Sequence, residues 1–143
     1  MPIHIVKLCV GVETVDDLKR SVKRKSSLNK NAGLGAIHEH VTRMRPRREE
    51  ELMDGGSLYW VIKGMILARQ EVLRLDARKG DDEIERCAIV MRPKVVLTEP
   101  MPRRAFQGWR YLQPADAPKD LRGEGRPAMA AALRMELAEL GLL

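Results

Sequence analysis

The order of apolar and polar positions divides the chain into segments of different period. Residues 3–10, IHIVKLCV, are a β-branched apolar run that predicts a buried strand, closed by Gly11. Thr14 followed by Asp17 marks a helix start, and the helix is expected through DDLKRSVKRK, with acids early and bases late as the helix dipole favours. The SSLNKNAGLG stretch, rich in Ser, Asn and Gly, reads as a mobile loop. AIHEHVTRM alternates and predicts a second strand, after which Pro46 opens a short helix, PRREEELMDG, ended by Gly55 and Gly56.

SLYWVIKGMILARQEVLRLDA is a long apolar run interrupted at Lys63, Gly64, Arg69 and Gln70. Two strands are expected there, with a helix as the competing reading of MILARQEVLRL. ARKGDDE reads as a polar turn and IERCAIVM as a further strand ended by Pro93. The stretch KVVLTEPMPRRAFQGWRYLQPADAP holds four prolines and no clear period, so short extended pieces wrapped on the sheet are expected. PAMAAALRMELAELGLL predicts a C-terminal helix with Pro127 near its start, and the preceding DLRGEGR makes residues 122–143 a peripheral element that docks last or moves. The expected fold is one α+β domain, residues 1–143, in which a small, strongly curved mixed sheet or barrel is flanked by N-terminal, middle and C-terminal helices.

Composition narrows the function class. At 143 residues with 44% hydrophobic and 32% charged residues, the chain can bury a core without disulfides or a structural metal. Its two cysteines, Cys9 and Cys87, sit in apolar stretches with no CxxC partner, which fits small buried hydrophobes in a reducing compartment. Neither a metal site nor any other cofactor is expected. The first apolar run is too short to span a bilayer and is followed by acids, so the expectation is a cytoplasmic protein with no membrane partner. The net charge of +6 is uneven: residues 1–48 hold 11 Lys or Arg against 4 Asp or Glu, net +7, and the remainder holds 15 against 16, net −1. Such a field favours phosphate-rich partners.

The five aromatic residues fall in two clusters, each just after a basic run: Tyr59 and Trp60 after Arg43, Arg45, Arg47 and Arg48, and Phe106, Trp109 and Tyr111 after Arg103 and Arg104. Aromatic faces stack bases and guanidinium groups fork onto phosphates, so single-stranded nucleic-acid sites use both. Tyr59, Trp60 and Phe106 equally suit a core. Trp109 and Tyr111 flank Arg110 at strand spacing and share a face, as a surface platform or as packing. His38 and His40 share a strand face; they suit a polar strand edge, or an acid–base pair acting with Arg43 and Lys63 on a phosphodiester. Lys63, read within an apolar strand, must reach an edge or a ligand oxygen. Ser57 lacks a nucleophile-elbow context. The Lys19, Arg20, Lys23, Arg24 and Lys25 run is a solvated helix face or a phosphate track.

The strings IVKLCVG, HVTRMRPRR, ELMDGGSLYWVIKG and PRRAFQGWRYLQPADAP, in order along nearly the whole chain, resemble the bacterial, mostly alphaproteobacterial, family of domain of unknown function 1489. That resemblance implies a lineage and brings no activity. The order of elements around TRM, the GG turn, SLYWVIKG, ARQEVLRL and IERCAIVM is similar to PUA-like small barrels, including the ASCH type, which implies RNA or modified-base binding and, in some members, ribonuclease activity. The expected function is therefore RNA or other nucleic-acid binding through Arg43, Arg45, Arg47, Arg48, Lys63, Arg103, Arg104, Trp109, Arg110 and Tyr111. The alternatives are a metal-independent ribonuclease using His38 or His40, and a protein-interaction module.

Overall fold

Six consecutive buried positions make Ser57–Ile62 the central strand of an α+β fold, because a strand covered on both faces reads as a continuous apolar run. The computed structural model describes residues 2–33, 35–104 and 106–121, and the expected C-terminal helix lies outside the described residues. In chain order the elements are β1 (His4–Leu8), α1 (Val15–Asn31), β2 (His38–Thr42), α2 (Glu49–Met53), β3 (Ser57–Ile62), β4 (Met65–Lys79), β5 (Glu85–Met91), β6 (Val96–Pro102) and β7 (Trp109–Leu112). A 3-10 turn, Pro114–Asp116, follows. The strand order is β2-β5-β4-β3-β1-β7, with β6 on β4; β1 runs parallel to β3 and the other pairs are antiparallel.

β4 holds this mixed sheet together. Its residues 65–71 pair with β3, 65–69 also with β6, and 72–79 with β5. Register shifts at Trp60/Val61, Ile66/Ala68 and Val72/Arg74 insert unpaired residues along it, which bends and twists a ladder. MILARQEVLRL is thus strand, and its partly alternating burial shows why: each face has its own cover.

A barrel is not formed, since β2 and β7 end the strand order without pairing to each other. Pro46 is buried just past β2 and has no N–H to extend a ladder. Side chains bridge the two ends instead. Trp109 Nε1–H donates to the Met44 carbonyl at 2.8 Å, and the Tyr111 hydroxyl accepts the backbone N–H groups of Arg47 at 2.9 Å and Arg48 at 3.1 Å.

Three local expectations need correction. The SSLNKN stretch is helix, because Ser26 continues the buried stripe of Val15, Leu18 and Val22 at helical spacing and packing overrides weak propensity. The helix begins as expected, with the Asp17 N–H bonded to Thr14 Oγ1 at 3.0 Å. The middle helix starts at Glu49 and not at Pro46, whose neighbours are held on β7. Lys63 is not inside a strand: it and Gly64 form the two-residue β3–β4 turn with φ +49° and +80°, the paired positive values of a type I′ hairpin.

The core has two parts. α1 and α2 cover one face through Val15, Leu18, Val22 and Leu52, packed with Ile5, Leu58, Trp60 and Ile62. Val6, Tyr59, Val61, Ile66 and Leu112 form a smaller cluster on the opposite face. Gly56 sits where the end of α2 meets the chain entering β1; an added Cβ would run into the backbone carbonyls of Leu52 and Ile3, so a side chain there forces the two segments apart.

Candidate nucleic-acid interface

Among the described residues exposed Lys and Arg side chains are concentrated on α1 and on the loop after β2. Along α1, Lys19, Lys23, Arg24 and Lys25 are exposed and make no ion pair among the described residues, whereas Arg20 pairs with Asp17. Between α1 and the turn after β5 lies a groove of about 390 Å³ in which Lys19, Lys23 and Lys94 stand with Ser26 and Ser27 and no acidic side chain. The arginine loop after β2 lies on the same face as α1, because Tyr111, which fastens it, packs on the α1-side core.

Within that loop Arg43 and Arg47 are exposed and free of ion pairs among the described residues. Arg45 is bonded to Glu49 at 2.8 Å, and Arg48 to Glu51 at 2.7 Å, with the Arg48 guanidinium 5.5 Å from the Tyr111 ring centre. The two aromatic residues act as brackets for the loop. Trp109 is only 8% exposed and stands edge-on to Tyr111 at 4.8 Å, so its ring fills space under the loop and offers no open stacking face.

Arg110 alternates to the other face, where it and Arg103 lie 5.5 and 5.4 Å from the Phe106 ring centre. The Arg103 N–H donates to the Gly64 carbonyl at 2.8 Å, which sets this group beside the β3–β4 turn. Arg104 is exposed, and Lys63 Nζ is 3.9 Å from Glu13. The predicted basic residues therefore divide into two groups, and the arginine loop joins only the α1 side.

His38 is buried and His40 half-buried. Gln70, 0% exposed, donates through Nε2 to the Arg92 carbonyl at 3.0 Å, and its Oε1 accepts from Trp60 Nε1 at 2.9 Å. His38 Nδ1 lies 3.2 Å from the same oxygen, so the His38 proton sits on Nδ1. His40 is edge-on to Trp60 at 5.4 Å, and its Nε2 is sealed with no hydrogen-bond partner among the described residues. Burial lowers both rings from the usual 6.5 to about 4; Lys25 adds to this at His38, and Lys7, His38 and Lys25 add to it at His40. A general base must reach its proton and titrate near the working pH, and burial with its lowering of both rings weighs against that part for His38 and His40. In the sequence Gln70 shows only as an interruption of a long apolar run; a glutamine in the middle of a buried strand is the signal of such a bonded group.

Burial raises the Cys9 thiol to about 11 and also raises Cys87, so both remain protonated at neutral pH. Among the described residues no three His, Cys, Asp or Glu side chains gather as a metal site, and no helix is long and apolar enough to cross a membrane.

No curated protein and no solved structure matches the chain. Residues 5–143 match the family described as protein of unknown function (DUF1489), in line with the four strings that carried the resemblance. The chain belongs to that family.

Proposed function

We propose that the protein binds nucleic acid, with RNA as the class, on the α1 face of its sheet. The observation that carries this reading is a single face on which exposed cations outnumber their acidic partners. Lys19, Lys23 and Lys94 line an acid-free groove, and Arg43 and Arg47 project from a loop whose backbone is fixed by Tyr111. Fixing the loop before binding lowers the ordering cost that a free arginine-rich segment would meet on contact with a backbone. The contacts are phosphate contacts, so affinity depends on charge and little on sequence.

The test is charge reversal by face. Lys19→Glu, Lys23→Glu, Arg43→Glu and Arg47→Glu combined are expected to weaken binding of a single-stranded RNA oligonucleotide by roughly two orders of magnitude at moderate salt. Arg103→Glu with Arg110→Glu, on the other face, should weaken it much less. Equal losses from the two sets would overturn the assignment.

A further inference from the structure

The face turned away from α1 holds a second group of polar side chains that phosphate-backbone binding does not use. β1, β3 and β4 lie side by side there, so His4, Tyr59 and Arg69 are neighbours, with Ser57 two residues before Tyr59 on the same face. These residues line a cavity of about 380 Å³ together with Lys119 and Asp120 of the segment that follows β7. The cavity is within the size range of small-ligand sites.

The hydrogen bonds determine what the cavity can accept. The Ser57 backbone N–H donates to His4 Nδ1 at 3.0 Å, so a neutral His4 carries its proton on Nε2. His4 is held neutral, since burial and then the Arg69 charge move its ring below its usual range. His4 stands edge-on to Tyr59 at 5.1 Å. Among the described residues neither His4 Nε2 nor the Tyr59 hydroxyl has a hydrogen-bond partner, and neither atom is sealed from solvent, although Tyr59 as a whole is only 5% exposed. Arg69 forks onto Asp120 with two bonds of 2.7 Å and reaches the Ser57 hydroxyl at 3.0 Å. That uses three of the five guanidinium N–H groups and leaves two.

The open groups are thus donors: His4 Nε2–H, the Tyr59 hydroxyl, the two spare Arg69 N–H groups, and the Lys119 ammonium. Among the described residues Asp120 is the only carboxylate lining the cavity, and it is engaged by Arg69. A ligand that complements this wall presents several acceptor oxygens and no need for acceptors in return. We infer that the cavity is a binding site for a small phosphate monoester, with Arg69, His4 and Tyr59 holding the phosphate oxygens and Lys119 at the rim. A tetrahedral group with three terminal oxygens meets donors arriving from three strands, which a flat carboxylate with two oxygens does not.

The test is a titration of the full chain with methyl phosphate at constant ionic strength, followed through the His4 and Tyr59 ring resonances. Saturable shifts at both rings are expected. Tyr59→Phe removes only a hydroxyl with no hydrogen-bond partner among the described residues, so it should leave melting unchanged while weakening methyl phosphate roughly tenfold or more, the loss of one hydrogen bond to a charged group. The α1 and loop charge reversals should leave this binding as it is, so its outcome is independent of RNA binding. No saturable shift at His4, an unchanged affinity in Tyr59→Phe, or equal affinity for acetate would each overturn the site.

Discussion

On the face covered by α1, His38 bonds to Gln70 and His40 lies against the Trp60 ring; on the opposite face, His4 lies against the Tyr59 ring at the wall of a cavity. Both arrangements set imidazole edge-on to an aromatic residue of β3, one residue apart in sequence. The difference is what covers them. Under α1 and β2 Trp60 and His38 both bond Gln70, which bonds the Arg92 carbonyl in turn, so these three are a fixed part of the core, with His40 Nε2 beside them sealed without a described partner. Across the sheet the Tyr59 hydroxyl and His4 Nε2 have no hydrogen-bond partner among the described residues and remain open. The same residue types serve folding on one face and are free for a ligand on the other.

The comparison breaks most visibly at Gln70. Gln70→Ala leaves the Trp60 indole N–H, the His38 ring N–H and the Arg92 carbonyl without their partner, and removes buried volume as well. A loss of about 3 kcal/mol or more of folding free energy is expected in denaturant titration. A loss below about 1 kcal/mol would mean that the interior group is not a unit. Tyr59→Phe, one strand position from Trp60, should by contrast move stability by no more than about 0.5 kcal/mol.

Acid should weaken the fold through histidines on both faces, chiefly through His38 and His40. His38 and His40 stay neutral in the fold to about pH 4, whereas in the unfolded chain they take up protons near 6.5. The unfolded state therefore binds more protons across that window, and stability falls as pH drops from about 6.5 towards 4, then levels off for these two groups. Each ring accounts for at most on the order of 3 kcal/mol, less their mutual coupling. His4 shifts in the same direction and adds to the trend. Replacing His38 and His40 with Gln should flatten the profile measured by thermal melting; an unchanged slope would contradict the lowering of both rings by burial.

A smaller effect on stability than at Gln70 or the two histidines is expected at the loop bracket. Tyr111→Phe removes the acceptor of the Arg47 and Arg48 backbone N–H groups, both near solvent, so a cost of about 1 kcal/mol is expected. Its effect on RNA affinity should be several-fold, through a loosened Arg43–Arg48 segment and with no charge removed. Unchanged affinity would leave the arginines as independent surface charges.

Much of the fold was legible in local patterns. The apolar run IHIVKLCV, the SLYWVI and IERCAIVM segments and the Thr14 cap are near-neighbour signals, and each holds an element of the structure, although β1 ends at Leu8 and Val10, expected inside the strand, is exposed. SSLNKN was not legible as helix, because only the sheet beneath gives Ser26 a reason to continue the stripe. Lys63-Gly64 carried a turn signal that the apolar flanks masked. The open sheet was not legible, since closure depends on whether β2 and β7 pair, and that is decided by contacts more than 60 residues apart. The arginine loop and the α1 charges were visible as composition. The bracket role of Trp109 and Tyr111, and the cavity at His4, depend on the register of strands from distant parts of the chain.

The most direct test of a phosphate-binding α1 face is the salt dependence of RNA affinity for the unaltered protein. With about four phosphate contacts on a single strand, raising monovalent salt from about 50 to about 200 mM is expected to weaken binding roughly fifty-fold. The quadruple reversal of Lys19, Lys23, Arg43 and Arg47 should remove most of that slope. An affinity that does not change with salt, or no measurable binding at the lower concentration, would contradict the account.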